Sequence, residues 1–185
     1  MTEPSTTTTI TPVTPSPVVK ATPVVLPPSP VKPKRTKHWD TRELYKFIMG
    51  RQAMPFKWGA NDCSMFSADC IQAMTGIDIA SDFRGLYTDE AGAAAAIEKV
   101  TGVKGGTIED AAAYCCAKHN IPQWRFPLLA QRGDLVVYKD PTTGVLVSGI
   151  IHLSGRHILT PGENGLRKVL IHDGKTTPIV RSWHI

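Results

Sequence analysis

Pro55-Phe56-Lys57-Trp58-Gly59-Ala60-Asn61-Asp62-Cys63-Ser64 joins an aromatic-glycine turn to the start of a helix. Beyond it, Cys63, Phe66, Cys70, Ile71 and Met74 recur at a spacing of three and four, which predicts an amphipathic helix from Cys63 to Met74. Gly76 is a natural stop. Asp62 stands where a helix N-cap belongs, with its carboxylate able to take first-turn amides. Cys63 then lies beside unpaired backbone N–H groups and the positive end of the helix dipole, both of which favour thiolate over thiol. The adjacent Asp62 charge opposes that. Two readings follow: Cys63 is a nucleophile, or it is a small inert thiol packed with Phe66, Cys70 and Met74.

Working outward, Asp40 to Gln52 reads as a first helix, capped by Asp40 or Thr41 and striped by Leu44, Phe47 and Ile48. An irregular stretch around Phe83 to Tyr87 leads to two more helices. One is alanine-rich, from Asp89 to Val100; the other runs from Thr107 to His119, with Thr107 and Asp110 set as a capping pair. The remainder reads as strands: Asp134 to Lys139, Gly144 to Leu153, Arg156 to Thr160, Leu166 to Ile171 and Thr177 to His184. Helices first and an antiparallel meander after them predict an α+β domain with helices packed on one sheet face.

Residues 1 to 37 differ in composition. Nine of the 15 prolines fall in residues 1 to 36, among Thr, Val and Ser, so neither helix nor central strand is available there. An extended arm or linker over 1–37, followed by a domain over 38–185, is the expected organisation. Val18-Val19, Val24-Val25-Leu26 and Val31 give the arm an apolar set suited to docking on neighbouring subunits. The arm also holds Lys20, Lys32, Lys34, Arg35 and Lys37 against Glu3 alone, and so carries +4 of the net +5. With the rest near neutral, a nucleic-acid-binding face is not expected, and the Lys32 to Lys37 cluster reads as solvated.

No apolar run approaches the roughly 18 residues of a membrane span. The start of the chain lacks a basic segment followed by an apolar core, so no secretory signal is expected. Without one, Cys63, Cys70, Cys115 and Cys116 are expected to stay reduced. Cys116 and His119 have a ligand-like spacing, but no second pair completes a zinc site, so neither a metal nor a cofactor is expected.

Taken together, Trp58-Gly59-x-x-Asp62-Cys63-Ser64, then Arg132-Gly133-Asp134-Leu135-Val136, then Ser148-Gly149-Ile150 resemble the NlpC/P60 superfamily of papain-like cysteine peptidases. Met74-Thr75-Gly76-Ile77-Asp78, Arg84-Gly85-x-Tyr87, Pro161-Gly162-x-Asn164-Gly165-Leu166 and the final Ser182-Trp183-His184-Ile185 resemble a phage tail-associated branch of it. The resemblance covers roughly residues 40 to 185 and implies a papain-like NlpC/P60 fold. It also implies a helix-borne Cys that attacks an amide carbonyl, a His on the second strand as base, and a polar residue on the next strand to orient that His. The usual substrate is a peptide bond of the peptidoglycan stem. In an active relative the turn bearing Trp58, Gly59 and Asp62 lines the cleft.

This chain departs from that pattern at the base. Aligned on Ser148-Gly149-Ile150, the base position falls on Val147, and the orienting position near Leu159 or Thr160. Of the six histidines, His157 on the following strand is the candidate substitute. The expectation is therefore a structural or adaptor component of a tailed-phage virion, made in the host cytoplasm. It would sit in the tail or baseplate, on an inactive NlpC/P60-like domain, with the arm reaching other virion proteins. The alternative is a cysteine peptidase or amidase acting on peptidoglycan, with Cys63 as nucleophile and His157 as base.

Overall fold

The structure, a computed structural model of the chain, describes residues 32–172 and 178–185. A wide π-helical turn, Trp39–Leu44, runs directly into α1, Tyr45–Arg51. Then follow α2 (Cys63–Thr75), α3 (Glu90–Thr101) and α4 (Ile108–Lys118). Five strands come after the helices: β1 (Leu135–Lys139), β2 (Leu146–Ile151), β3 (His157–Gly162), β4 (Gly165–Leu170) and β5 (Ile179–Trp183). The domain is α+β, as the order of elements predicts.

The caps explain why the helices begin and end here. Asp62 and Asp89 accept first-turn amides of α2 and α3, and Thr107 and Asp110 close a capping box on α4. Gly76 and Gly102 adopt left-handed backbone at the ends of α2 and α3.

The sheet order is β4-β3-β2-β1-β5, all antiparallel. The first four strands form the expected meander. The fifth does not follow β4; it crosses to the other edge and pairs with β1, Leu135 opposite Trp183. The physical reason lies in β1, where Leu135, Val136, Val137 and Tyr138 are all buried. A strand apolar on both faces belongs in the middle of a sheet, with neighbours on both edges.

The main core lies between the helices and one sheet face, and joins Leu44, Phe66, Ile71 and Met74 to Leu135, Val137, Ile150 and Leu159. The other face carries Val136, Tyr138, Ile151, Ile158, Val169 and Ile179, which pack together.

The domain boundary shifts from the expected one. Thr36 donates its amide to the Met74 carbonyl at 2.9 Å, and Pro33 is buried. Arg35, read from composition as part of a solvated cluster, pairs instead with the fully buried Asp134 at 2.5 Å. Its guanidinium also lies over the Trp39 ring, 4.2 Å from the centroid. A linear charge count cannot see a partner 99 residues away. Residues 1–31, which hold most of the expected arm, lie outside the described residues.

Asp134 also accepts from Trp124 Nε1 at 2.7 Å, Gln131 N at 2.8 Å and Ile185 N at 3.3 Å. Asp134→Ala is expected to cost about 3–5 kcal/mol, because it leaves Arg35 half-buried and unpaired. Arg35→Met leaves the carboxylate its three N–H donors and is expected to cost less, about 1–3 kcal/mol. Urea unfolding checks the ranking. By the same logic, a chain starting at His38 should unfold at lower urea than one starting at Lys32; equal midpoints would restore the boundary at residue 37.

Candidate functional site

The turn before α2 is held from several sides. Gly59 has φ +70°, and a Cβ there would come within 2.1 Å of the Tyr87 carbonyl oxygen, so only glycine fits. Asn61 is buried and donates to the Pro55 carbonyl at 2.9 Å. Arg51, the last residue of α1, reaches Asn61 Oδ1 at 2.9 Å and Asp69 Oδ2 at 2.8 Å. Arg84 completes the clamp, reaching Asp69 at 2.6 Å and also pairing with Asp78. Charge-assisted pairing, to Asp78 first and then to Asp69, holds the Arg84 guanidinium above its ordinary range. The packing of Phe56, Trp58 and Tyr87 edge to face, with centroids 5.0 and 6.5 Å apart, closes the other side of the turn.

Asp62 is the N-cap, as expected, and is fully engaged. Its Oδ1 accepts from Ser64 N and Met65 N, both at 2.9 Å, and its Oδ2 from Gly59 N at 2.7 Å. Burial first, and then the Asp62 charge, push the neighbouring Tyr87 phenol well above the ordinary value.

This arrangement corrects the expectation that the helix start favours a thiolate at Cys63. The first-turn amides that could stabilise the anion are already taken by Asp62. Burial pushes the Cys63 thiol up, and the Asp62 charge adds to it; hydrogen bonds from Ser148 and Ser64 only partly oppose the shift. Nor does Cys63 join the apolar stripe. Phe66, Cys70 and Met74 are fully buried in the core, whereas Cys63 is half-buried and borders a cavity.

The position facing Cys63 from the sheet is also not the expected one. Val147 stands opposite Tyr138 and packs on the face away from α2. Ser148, one residue on, points to the helices, and its hydroxyl lies 3.4 Å from that of Ser67 on α2. A step of one residue along a strand changes faces. Ser148 does not supply a base, because a serine hydroxyl takes no proton from a thiol at neutral pH. Thr160 donates to the Ser148 carbonyl at 3.3 Å and so supports the strand rather than orienting a histidine.

His157 is not brought to Cys63. It opens β3 opposite Leu170, and its carbonyl accepts the His152 amide. It therefore lies four residues along the sheet from the level of Ser148, roughly 13 Å. There it shares Ser154 with His152, the two rings 6.3 Å apart. His119 caps α4, and His184 stacks on Trp124.

Thus the structure brings Trp58, Gly59, Asp62 and Cys63 together and leaves His157 apart. Ser148, Tyr87, Arg51 and Asp69 complete the site. Arg84 and Tyr87 belong to an Arg-Gly-x-Tyr pattern visible in the sequence, but Arg84 reaches Asp78 six positions away and Asp69 15 positions away, contacts the pattern does not announce.

The space beside Cys63 is a cavity of about 220 Å³ between α2, α3, α4 and the first two strands. Its lining is mainly apolar, with Trp58, Phe83, Ile97, Ile108, Leu135 and Leu146 among the walls. Among the described residues, no group of three or more His, Cys, Asp or Glu is placed to hold a metal ion, and no helix is long and apolar enough to cross a membrane.

An α+β domain with a cysteine at the start of its central helix is thus the class of molecule. More particularly, the chain belongs to the family described as a domain of unknown function, DUF6950, whose model matches residues 34–184. That match starts at the packed segment around Arg35 rather than at residue 38. No curated protein and no solved structure matches the chain.

Two outcomes test this geometry. Because the thiol is held above its ordinary value, the protonated form dominates at neutral pH and the reactive thiolate grows in only as pH rises past that value. Iodoacetamide should therefore label Cys63 at pH 7 no faster than free cysteine, with the rate still climbing above pH 9. Asp62→Ala should cost about 1–2 kcal/mol in stability through the lost cap. It should also speed Cys63 labelling at pH 8, since it removes a negative charge and frees two amides.

Proposed function

We infer that this chain is a non-catalytic domain of NlpC/P60 type that serves as a structural or adaptor component of a tailed-phage virion. The observation that carries the non-catalytic part is the Asp62 carboxylate, which occupies the first-turn amides beside Cys63 while His157 is held elsewhere on the sheet. Acyl transfer by a thiol needs a thiolate or a base to make one. Here the Ser64 hydroxyl lies 4.0 Å from the thiol, and the neighbouring Asp62 carboxylate is committed to backbone amides. Support for the virion part is the sequence resemblance over residues 40 to 185 and the Pro/Val/Thr composition of residues 1–31. Such a segment reaches roughly 95 Å at about 3.1 Å per residue when extended, long enough to dock on neighbouring subunits.

The reading assigns the Trp58-Gly59 turn and Cys63 to a cleft that retains its shape and not its hydrolytic chemistry. Peptidoglycan is then a surface the particle meets, not a substrate of this domain.

The test uses the full chain. Purified protein should release no stem-peptide fragments from peptidoglycan, and Cys63→Ala should leave particle assembly and infectivity unchanged. Mass spectrometry of purified particles should find the chain, and removal of residues 1–31 should lower its incorporation. Turnover that disappears in Cys63→Ser would overturn the non-catalytic reading and establish the peptidase. Absence of the chain from particles would overturn the virion reading.

A further inference from the structure

The cavity beside Cys63 exists because the surrounding helices are built from small residues. α3 turns Ala93 and Ala94 toward it, and α4 turns Ala111 and Ala112 toward it. Ala68 of α2 and Ala80 of the following loop face them. Larger side chains at these positions would close the gap, as protein interiors ordinarily do. At about 220 Å³ the space exceeds the roughly 150 Å³ that accepts a benzene ring in an engineered apolar cavity. Scaling from that case, it holds an apolar body of about nine non-hydrogen atoms.

The polar groups are gathered in one corner. Cys63, Ser64, Ser67 and Ser148 line it with a thiol and three hydroxyls, all uncharged. The Ser67 and Ser148 hydroxyls are 3.4 Å apart and both residues are buried. No lysine, arginine or histidine lines the cavity among the described residues, and the one charged side chain in its wall is the exposed Glu90. The Asp62 carboxylate, just behind the corner, is spent on the amides of Gly59, Ser64 and Met65. A carboxylate ligand would enter without a cation to meet it and with two acids nearby. An ammonium group would lose its water for hydroxyls alone. The corner instead suits a single neutral group that both donates and accepts.

We propose that this cavity binds a small uncharged ligand with an apolar body of about nine heavy atoms and one hydrogen-bonding head, the head being received by Ser64, Ser148 and the Cys63 thiol. The inference rests on the reading that Cys63 is not a nucleophile and names what its cleft accepts in place of a scissile peptide. The charged stem peptides of peptidoglycan are excluded by the same lining.

The probes are octan-1-ol, octanoate and octylamine, which share a body and differ in the charge of the head. Calorimetric titration of the full chain should show octan-1-ol binding one to one and at least tenfold tighter than either charged congener. Ala93→Leu fills the cavity from the inside and Ala94→Trp blocks it from the exposed side of α3. Each should weaken octan-1-ol at least tenfold while leaving the circular dichroism unchanged. Ala94 is exposed, so its variant decides the matter should Ala93→Leu fail to fold. Ser148→Ala should reduce the preference for the alcohol over the charged congeners.

The proposal is overturned by any of three results: no saturable binding of octan-1-ol, octanoate binding as tightly, or affinity that survives Ala94→Trp. None of these touches the non-catalytic reading, which stands on peptidoglycan turnover by the same preparation. Conversely, Cys63-dependent turnover alongside saturable, Ala94-sensitive binding of octan-1-ol would overturn that reading and leave the binding site in place.

Discussion

The buried carboxylate of Asp134 holds the architecture together. It stands just before β1, an inner strand of the sheet, and is fully shielded from solvent. Arg35 comes to it from the beginning of the domain, Trp124 and Gln131 from the loop before β1, and Ile185 from the segment after β5. Three pieces of chain thus meet on two oxygens. A buried anion is tolerated only when its lone pairs are met, and here each donor fixes the path of the segment that supplies it. The crossing of β5 to the β1 edge brings Ile185 to the same point. The tight turn at Gly133, where a Cβ would strike the Trp39 ring at 2.5 Å, packs this corner directly against the first helical turn.

Asp62 plays a comparable part at the other end of the helical layer, with a consequence for chemistry. The same carboxylate that starts α2 and pins Gly59 takes the amides a thiolate would need. It also places a negative charge beside Cys63. Stability of the helix start and reactivity of the thiol compete for one set of N–H groups, and in this chain the cap has them. The arginine clamp of Arg51 and Arg84 on Asp69 rigidifies the turn around a cysteine that is not activated. The alanine-rich faces of α3 and α4 then leave room beside the thiol.

Much of the fold was legible because its signals are local. Caps at Asp62, Asp89 and Thr107, stops at Gly76 and Gly102, and the period of three and four in Cys63 to Met74 depend on residues within a turn or two of each other. Strands β1 to β4 followed from apolar runs and the turns between them. The site was legible only in part. Trp58, Gly59, Asp62 and Cys63 are contiguous, so their juxtaposition is written in the chain. Ser148 was missed in favour of Val147 because strand parity decides which neighbour faces the helix, and motif alignment does not fix parity. His157 was plausible by sequence spacing and failed on register, which sets it at the far end of the strand pair.

What the sequence by itself determined is the main elements, their order, the cap chemistry of α2 and α4 and the presence of a cysteine at a helix start, whereas the Asp40 or Thr41 cap expected for the first helix does not form. These follow from backbone sterics, hydrogen-bond satisfaction and hydrophobic period, all short-range. Only the tertiary structure decided that Arg35 belongs to the domain, that β5 lies beside β1, that Cys63 faces Ser148, and that a cavity opens next to it. Each of those depends on groups brought together from more than 40 positions apart, or on the space between helices, which no local pattern encodes. The physical reason is the same throughout: the state of a buried charge or thiol is set by what surrounds it in space, and the chain specifies those surroundings only once it has folded.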